Sequence, residues 1–317
     1  LEETGFIPQQ KYTNAEETLE YCEVLAQRYG LHEHALLQTQ VKKVVWQESS
    51  RRWQVTTDRG DVLHARFVIH SNGPLNRPKL PGIKGIDQFK GHTFHTSRWD
   101  YAYTGGNTFG GLSQLSDKRV AVIGTGATAV QCVPHLAESA KALYVFQRTP
   151  SSIDVRNNQP TDPNWISQQP AGWQKRRQTN FESIMSGAPV KEDLVGDGWT
   201  EAFRNLFGSI GELMPSKARL AMWAVQGVFS SKRRERGLRQ YLTDRAIQYM
   251  GLIQKMEMAD FNKMEKVRAR ADELIADKLT AESLKPYYRQ FCKRPCFHDE
   301  YLQSLPNTNT YQRENFI

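Results

Sequence analysis

The sequence predicts an α/β protein with a helical insert and a separate antiparallel β meander, and three observations carry that expectation. Residues 118–131, KRVAVIGTGATAVQ, pass from an apolar strand through a glycine turn into a helix, and ALYVFQRTP at 142–150 supplies the next strand. The order is βαβ, a Rossmann-like unit. Residues 163–285 are almost wholly helix-forming and charged. Before both lie three short β-rich runs, LLQTQVKKVVWQ, RRWQVTTD and VLHARFVIH, parted by the turn signals ESS and RGD.

Taken in order, AEETLEYCEVLAQRY at 15–29 has apolar residues at helical spacing and Gly30 as a stop. The three β-rich runs follow as a meander. SNGPLNRPKLPGIKGI, from Ser71, is too rich in proline and glycine for helix or central strand and reads as a linker. AYTGGNTFGGLSQLSD at 102–117 is a glycine-rich loop ahead of the βαβ unit. Within the helical stretch, GLIQKMEMADFNKMEKVRARADELIAD at 251–277 is the clearest helix, and the chain carries no internal repeat.

Composition narrows the classes. A chain of 317 residues with 39% hydrophobic content buries a real core, which excludes a disordered protein. The longest apolar run, AMWAVQGVF at 221–229, falls well short of the roughly twenty residues that a spanning helix needs, so no transmembrane segment is expected. No secretory signal is visible, and four cysteines without regular spacing predict reduced thiols in a cytoplasmic protein. The net charge of +8 suits nucleic acid, acidic lipid or a phosphate-bearing cofactor equally. The basic run SSKRRERGLRQ, from Ser230, reads as a solvated helical face, so no nucleic acid is expected as a partner. Cys292, Cys296 and His298 lack the paired spacing of a zinc module, and no metal is expected there.

Gly124, Gly126 and Ala129 form GxGxxA where strand becomes helix, with Thr125, Ala127, Thr128 and Gln131 completing the turn. The first glycine permits the tight turn, the second lets backbone approach a pyrophosphate, and the small third residue lets helix and strand pack. The next strand ends in Gln147, Arg148 and Thr149, where an enzyme selecting NAD would carry an acid for the ribose hydroxyls. Arginine and a hydroxyl suit a 2′-phosphate, so the predicted cofactor is NADP(H) in preference to NAD(H), with a purely structural turn as the alternative.

FKGHTFHTSRWD at 89–100, with Phe89, Gly91, His95, Trp99 and Asp100, resembles the FxGxxxHxxxW(P/D) fingerprint of Baeyer-Villiger monooxygenases, flavoenzymes that insert oxygen beside a ketone carbonyl. NGPLNRPKLPGI resembles the family's crossing linker, VFQRTP its phosphate-recognition turn, and FCKRPCFHDEYL its return from the helical insert; the likeness runs from the first residue to about Leu305. The resemblance implies that NADPH reduces a bound FAD and that an arginine stabilises a peroxide anion as it attacks a small-molecule ketone. By position Arg294 matches that arginine, and Lys293 matches a lysine that contacts the 2′-phosphate beside Arg148 and Thr149. A fixed guanidinium suits developing negative charge and an ammonium suits a phosphate. His95 is implied to be a linker residue that couples domain movement to cofactor position.

The resemblance divides the chain into a remnant of an FAD-binding domain containing the meander (1–80), a linker with the fingerprint (81–100), and the first part of an NADP-binding domain (101–162). The helical insert (163–285) and a return with a divergent tail (286–317) follow. One departure stands out: no GxGxxG for FAD occurs between Leu1 and Gln88. RFVIHSNG, with His70, reads as a strand remnant at the inner edge of the flavin lobe, and PNTNTYQRENFI as a polar tail with no strand pattern. Three explanations stay open: a portion of a complete monooxygenase, a truncated homologue performing flavin-free NADPH-dependent reduction or acid/base rearrangement, or a homologue that binds a partner. An oligomer or partner chain covering the exposed remnant fits the last. No motif identifies the substrate.

Overall fold

The computed structural model describes residues 2–73, 75, 77–188, 190–207, 231–305 and 309–312, with backbone alone at 206–207, 231–249, 252 and 309–312. AMWAVQGVF and the side chains of SSKRRERGLRQ lie outside the described residues. The chain divides into two compact units, Asn14–Asp100 and Leu1–Thr13 with Tyr101–Ile317.

In the first unit, α1 (Ala15–Arg28) starts at Asn14, whose side-chain oxygen accepts from the Glu17 N–H at 2.9 Å, and Glu16 and Glu17 place negative charge in the first turn. The chain leaves the helix through Gly30 in the left-handed region. Strands β1 (Val41–Gln47), β2 (Arg52–Thr57) and β3 (Val62–Ala65) then form the expected antiparallel meander. Trp46 stands opposite Trp53, their rings edge-on at 5.4 Å, and Thr57 closes the second turn by donating to Asp61 at 2.9 Å.

RFVIHSNG departs from the strand expected of it. β3 pairs from Val62 opposite Thr56 to Ala65 opposite Trp53, and beyond that β2 has only Arg52 left before the turn. With no ladder to join, residues 66–70 leave Phe67 and Ile69 at 81% and 86% exposure.

The second unit opens with a short helix, α2 (Tyr101–Thr104). Then β4 (Arg119–Ile123), α3 (Ala127–Ser139) and β5 (Ala142–Gln147) follow as a right-ordered βαβ unit, with β4 and β5 in parallel register from Arg119–Ala142 to Ile123–Phe146. α3 buries Val130, Val133 and Leu136, while β5 buries Leu143 and Val145, so the core of this unit sits under the helix. After β6 (Ile153–Asp154) come α4 (Pro163–Ser167), α5 (Trp173–Met185), α6 (Gly198–Phe207), the 44-residue α7 (Ser231–Leu274) and α8 (Lys278–Ser283). The chain returns through β7 (Cys296–Phe297), α9 (Tyr301–Ser304) and β8 (Asn309–Gln312).

β8 corrects the expectation of a strandless tail. It adds in parallel to β5, Tyr144 opposite Asn309 through Gln147 opposite Gln312, giving the order β4-β5-β8. The polar sequence NTYQ carries no strand pattern of its own, so its conformation comes from the open edge of β5. No helix among the described residues is long and apolar enough to cross a membrane.

α7 turns Met264, Val267 and Ala271 inward at helical spacing. Beside them Lys263, 8% exposed, bonds Asp154 of β6 at 2.6 Å and Glu201 of α6 at 3.1 Å, which joins three elements far apart in sequence. Lys263→Ala leaves Asp154, 17% exposed, without its partner. Breaking a buried pair costs about 3–5 kcal/mol, and the partial exposure here lowers the expected loss to about 2–4 kcal/mol in urea unfolding. Lys263→Met with Asp154→Asn should recover most of it; a single substitution with no effect contradicts the clasp.

Candidate functional site

Gly124 ends β4 at φ +107°, a conformation closed to other residues at low cost, and its N–H donates to the Phe146 carbonyl at 2.8 Å. Thr125 is buried: its hydroxyl donates to the Thr149 carbonyl at 3.1 Å, and its own carbonyl accepts a very short bond from the Ser151 hydroxyl. The turn after β4 is thereby stitched to the segment after β5. Gly126 caps α3 with φ −71° and no side-chain bond. A Cβ added there would meet no atom of the chain within 4 Å, so nothing in the protein's own packing requires a glycine at that place. What glycine provides is open space before the first N–H groups of α3, which have no partner within the helix. Ala129 is buried against the core, Thr128 is exposed at the helix start, and Gln131 points its amide back to the Ala127 carbonyl at 3.1 Å.

At the end of β5, Gln147 turns inward and donates to the Ser283 carbonyl at 2.8 Å, while Arg148 stays exposed. The return segment brings Lys293 beside them: its ammonium donates to the Thr149 carbonyl at 3.2 Å and lies 5.4 Å from the centre of the Tyr288 ring. Tyr288 donates to the Pro150 carbonyl at 2.8 Å, and burial pushes its hydroxyl up to about 12, so it stays a donor. Tyr288 was invisible as a site residue in sequence; only the closure of the chain on itself puts it under the lysine. Desolvation first, and then the Arg148 guanidinium, hold the Lys293 ammonium below the ordinary lysine range. Arg148, Lys293 and Arg294 form no ion pair with a carboxylate among the described residues. Two cations held close together without an acid are a cradle for an anion, which fits a phosphate group.

Arg294 is exposed next to the buried pair Pro295 and Cys296. Burial raises the Cys296 thiol and Arg294 partly offsets this. Cys292 is exposed and His298 buried, so the three residues of the CxxxC and histidine phrase do not share one environment.

The fingerprint residues lie in the other unit and build a local frame. Gly91 has the Phe89 ring where a Cβ would stand, at 2.5 Å, and Phe89 itself is 63% exposed. His95 caps a 3-10 turn at Thr96–Arg98: its Nδ1 accepts from the Ser97 N–H at 3.1 Å, which places its proton on Nε2. Trp99 packs edge-on against Phe94 at 5.3 Å, and Asp100 bonds Nε2 of His92 at 2.9 Å. His92 and Phe94 are thus structural members of this frame that the fingerprint spacing did not single out. Among the described residues of 2–88, no strand passes through a glycine turn into a helix, so these residues do not build a second pyrophosphate cradle.

Residues 2–169 match the pyridine nucleotide-disulphide oxidoreductase family. The chain is 50% identical over 309 residues to a Baeyer-Villiger monooxygenase of Stachybotrys chlorohalonatus, covering 98% of this chain and 45% of that protein. Among solved structures, the polycyclic ketone monooxygenase of Thermothelomyces thermophila is 37% identical with a TM-score of 0.77, covering 98% of this chain and 48% of that one. A complex of OTEMO with FAD and NADP is 27% identical with a TM-score of 0.62, covering 97% and 53%. The chain spans about half the length of the curated relatives it matches.

His298 follows the cationic segment and supports its position. Its Nδ1 accepts from the N–H groups of Glu300 and Tyr301, both at 3.2 Å, and so caps α9 as a neutral ring. Desolvation is the main cause that lowers its pKa from the ordinary 6.5. The unfolded ring takes a proton near 6.5 and the folded ring only below that. Stability from this group is therefore full above pH 6.5 and declines as pH falls toward the depressed folded value. In thermal melts from pH 8 to 5, His298→Asn, which keeps an acceptor, is expected to flatten that decline; an unchanged profile contradicts the neutral cap.

Proposed function

The chain belongs to the pyridine nucleotide-disulphide oxidoreductase family and, within it, to the Baeyer-Villiger monooxygenases, and from that premise we propose that it supplies the NADP(H)-binding part and the reactive arginine of an enzyme that inserts oxygen beside a small-molecule ketone carbonyl. The observation that carries this reading is the pairing of an open glycine turn with a cationic cluster that, among the described residues, has no acid of its own. When bound, NADP(H) supplies a hydride. The α3 N-terminus receives the pyrophosphate over Gly126, and its partial positive charge favours the anion. Arg148, the Thr149 hydroxyl and Lys293 grip the 2′-phosphate, and relief of the repulsion between Arg148 and Lys293 adds to the gain. Tyr288 keeps the lysine in place from beneath.

Arg294 is the group we assign to negative charge developing at the reacting oxygen, because its guanidinium presents a fixed fork of donors and is exposed at the end of the return segment. His95 we assign to positioning, because its Nδ1 accepts from the Ser97 N–H and so caps the Thr96–Arg98 turn of the linker. The similarity to OTEMO, solved with FAD and NADP, supports FAD as the partner cofactor of the complete enzyme. Four free cysteines support a reducing, cytoplasmic setting. The exposure of Phe67 and Ile69 supports a covering surface contributed by other residues or chains.

Calorimetric titration tests the reading. NADPH is expected to bind at least about tenfold more tightly than NADH, and Arg148→Ala or Lys293→Ala to weaken NADPH by roughly 10–100-fold, the value of a charge-assisted bond. Gly126→Val should abolish binding of both while leaving the melting temperature unchanged. Arg294→Ala should keep NADPH binding, yet lower oxygenation by the complete enzyme by about 10²–10³. Equal binding of NADH and NADPH contradicts the assignment of the cluster.

A further inference from the structure

A cavity of about 900 Å³ opens in the second unit among the N-terminal segment, the 154–157 loop and the α5–α6 region. It shares no residue with the glycine turn or with the cluster around Arg148. Its volume lies in the range of about 300–1,000 Å³ that small-molecule sites occupy.

The carboxylates that face it are engaged by the protein. Asp154 bonds Lys263 at 2.6 Å and accepts the Val155 N–H at 2.8 Å. Asp193 accepts the N–H groups of Val195 and Gly196, both at 2.9 Å, and Asp197 accepts that of Thr200 at 2.8 Å. Glu201 is the second partner of Lys263 at 3.1 Å.

The cations that face it are not engaged in the same way. Lys11 spends one donor on the Gly196 carbonyl at 3.0 Å. Arg204 reaches Asp193 only at 3.8 Å and is 47% exposed. Arg156 lies 5.2 Å from the centre of the Tyr12 ring and pairs with no carboxylate among the described residues. A lysine carries three donors and an arginine five, so most of this capacity is uncommitted among the described residues. The backbone at Arg156 is also fixed in advance. Asp299 accepts the N–H groups of Arg156, Asn157 and Asn158 at 2.9, 3.1 and 3.4 Å, and Arg270 anchors the same strand end through the Ile153 and His298 carbonyls. Ile184, Val190 and Phe203 supply apolar wall.

We propose that this cavity binds a small carboxylate with an apolar body, its head group taken by Arg156 with Lys11 and Arg204 and its body lying along Phe203. Four carboxylates and three cations line the cavity, so the sign is set by which of them are already paired: each carboxylate accepts from the protein, whereas among the described residues Arg156 meets no carboxylate and Arg204 meets one only at 3.8 Å, which favours an anion at the cationic end. The site is independent of the cofactor reading.

Sodium octanoate and octanamide serve as matched probes in calorimetric titrations of the chain, with NADPH titrated into the same preparation. Octanoate is expected to bind at least about tenfold more tightly than octanamide. Arg156→Gln should weaken octanoate about tenfold or more and leave octanamide unchanged. Arg204→Gln, at a position 47% exposed, should weaken octanoate about threefold or more. Arg148→Ala should leave octanoate binding as it was. Equal affinity for the two probes, no octanoate binding up to about 10 mM, or loss of octanoate binding in Arg148→Ala each overturns the proposal.

Discussion

The second unit depends on one closure. The chain leaves β6 after Asp154 and returns at Cys296, where Ile153 pairs with Cys296 and Asp154 with Phe297 in a two-stranded parallel ladder. Two bridges are too few to hold such a long excursion, because the ends of a long loop are costly to bring together. Arg270 adds the missing bonds from near the C-terminal end of α7, donating to the Ile153 carbonyl at 3.2 Å and to the His298 carbonyl at 3.0 Å. Its side chain is half-buried, and desolvation is the chief cause that lowers its pKa from the ordinary arginine value. Lys263 clasps the next residue of the same strand from about two helical turns away.

From that closure follow the chemical features of the unit. Once β7 is seated, Lys293 falls beside Thr149 and within the field of Arg148, and the cationic cluster exists. On the far side of the same strands, Asp299 fixes the Arg156 loop. The glycine turn belongs to the βαβ unit alone, but its stitching through Thr125 and Ser151 ends at the residues that lead into β6. The sheet, the phosphate cluster and the second cavity therefore share a common frame.

What was legible in the sequence was local. The β4-turn-α3-β5 unit could be read because each step is set by near neighbours, and the meander because Trp46, Trp53 and the turn at Thr57–Asp61 lie within a short span. The end of β3 was not legible: RFVIH has strand composition, but the length of a strand is set by its neighbour, and β2 stops first. β8 erred in the opposite direction, since NTYQ has little strand preference and acquires its conformation from β5. At the site, Arg148, Thr149 and Lys293 could be placed together only through a family likeness, and Tyr288 and the caps by His298 and Asp299 needed the tertiary closure. Gly126 could be named from the motif, but the open space around it, which distinguishes a binding glycine from a structural one, is a property of the fold.

The 2′-phosphate of the bound cofactor reports most directly on the central claim that Arg148 and Lys293 form a phosphate cradle. Its second ionisation lies near ~6 in water, and adjacent cations favour the dianion. A ³¹P NMR titration of NADP⁺ bound to the chain should find that pKa clearly below its value in free NADP⁺, and returning toward it in Lys293→Ala. A bound 2′-phosphate that titrates as it does in free solution would contradict the cradle.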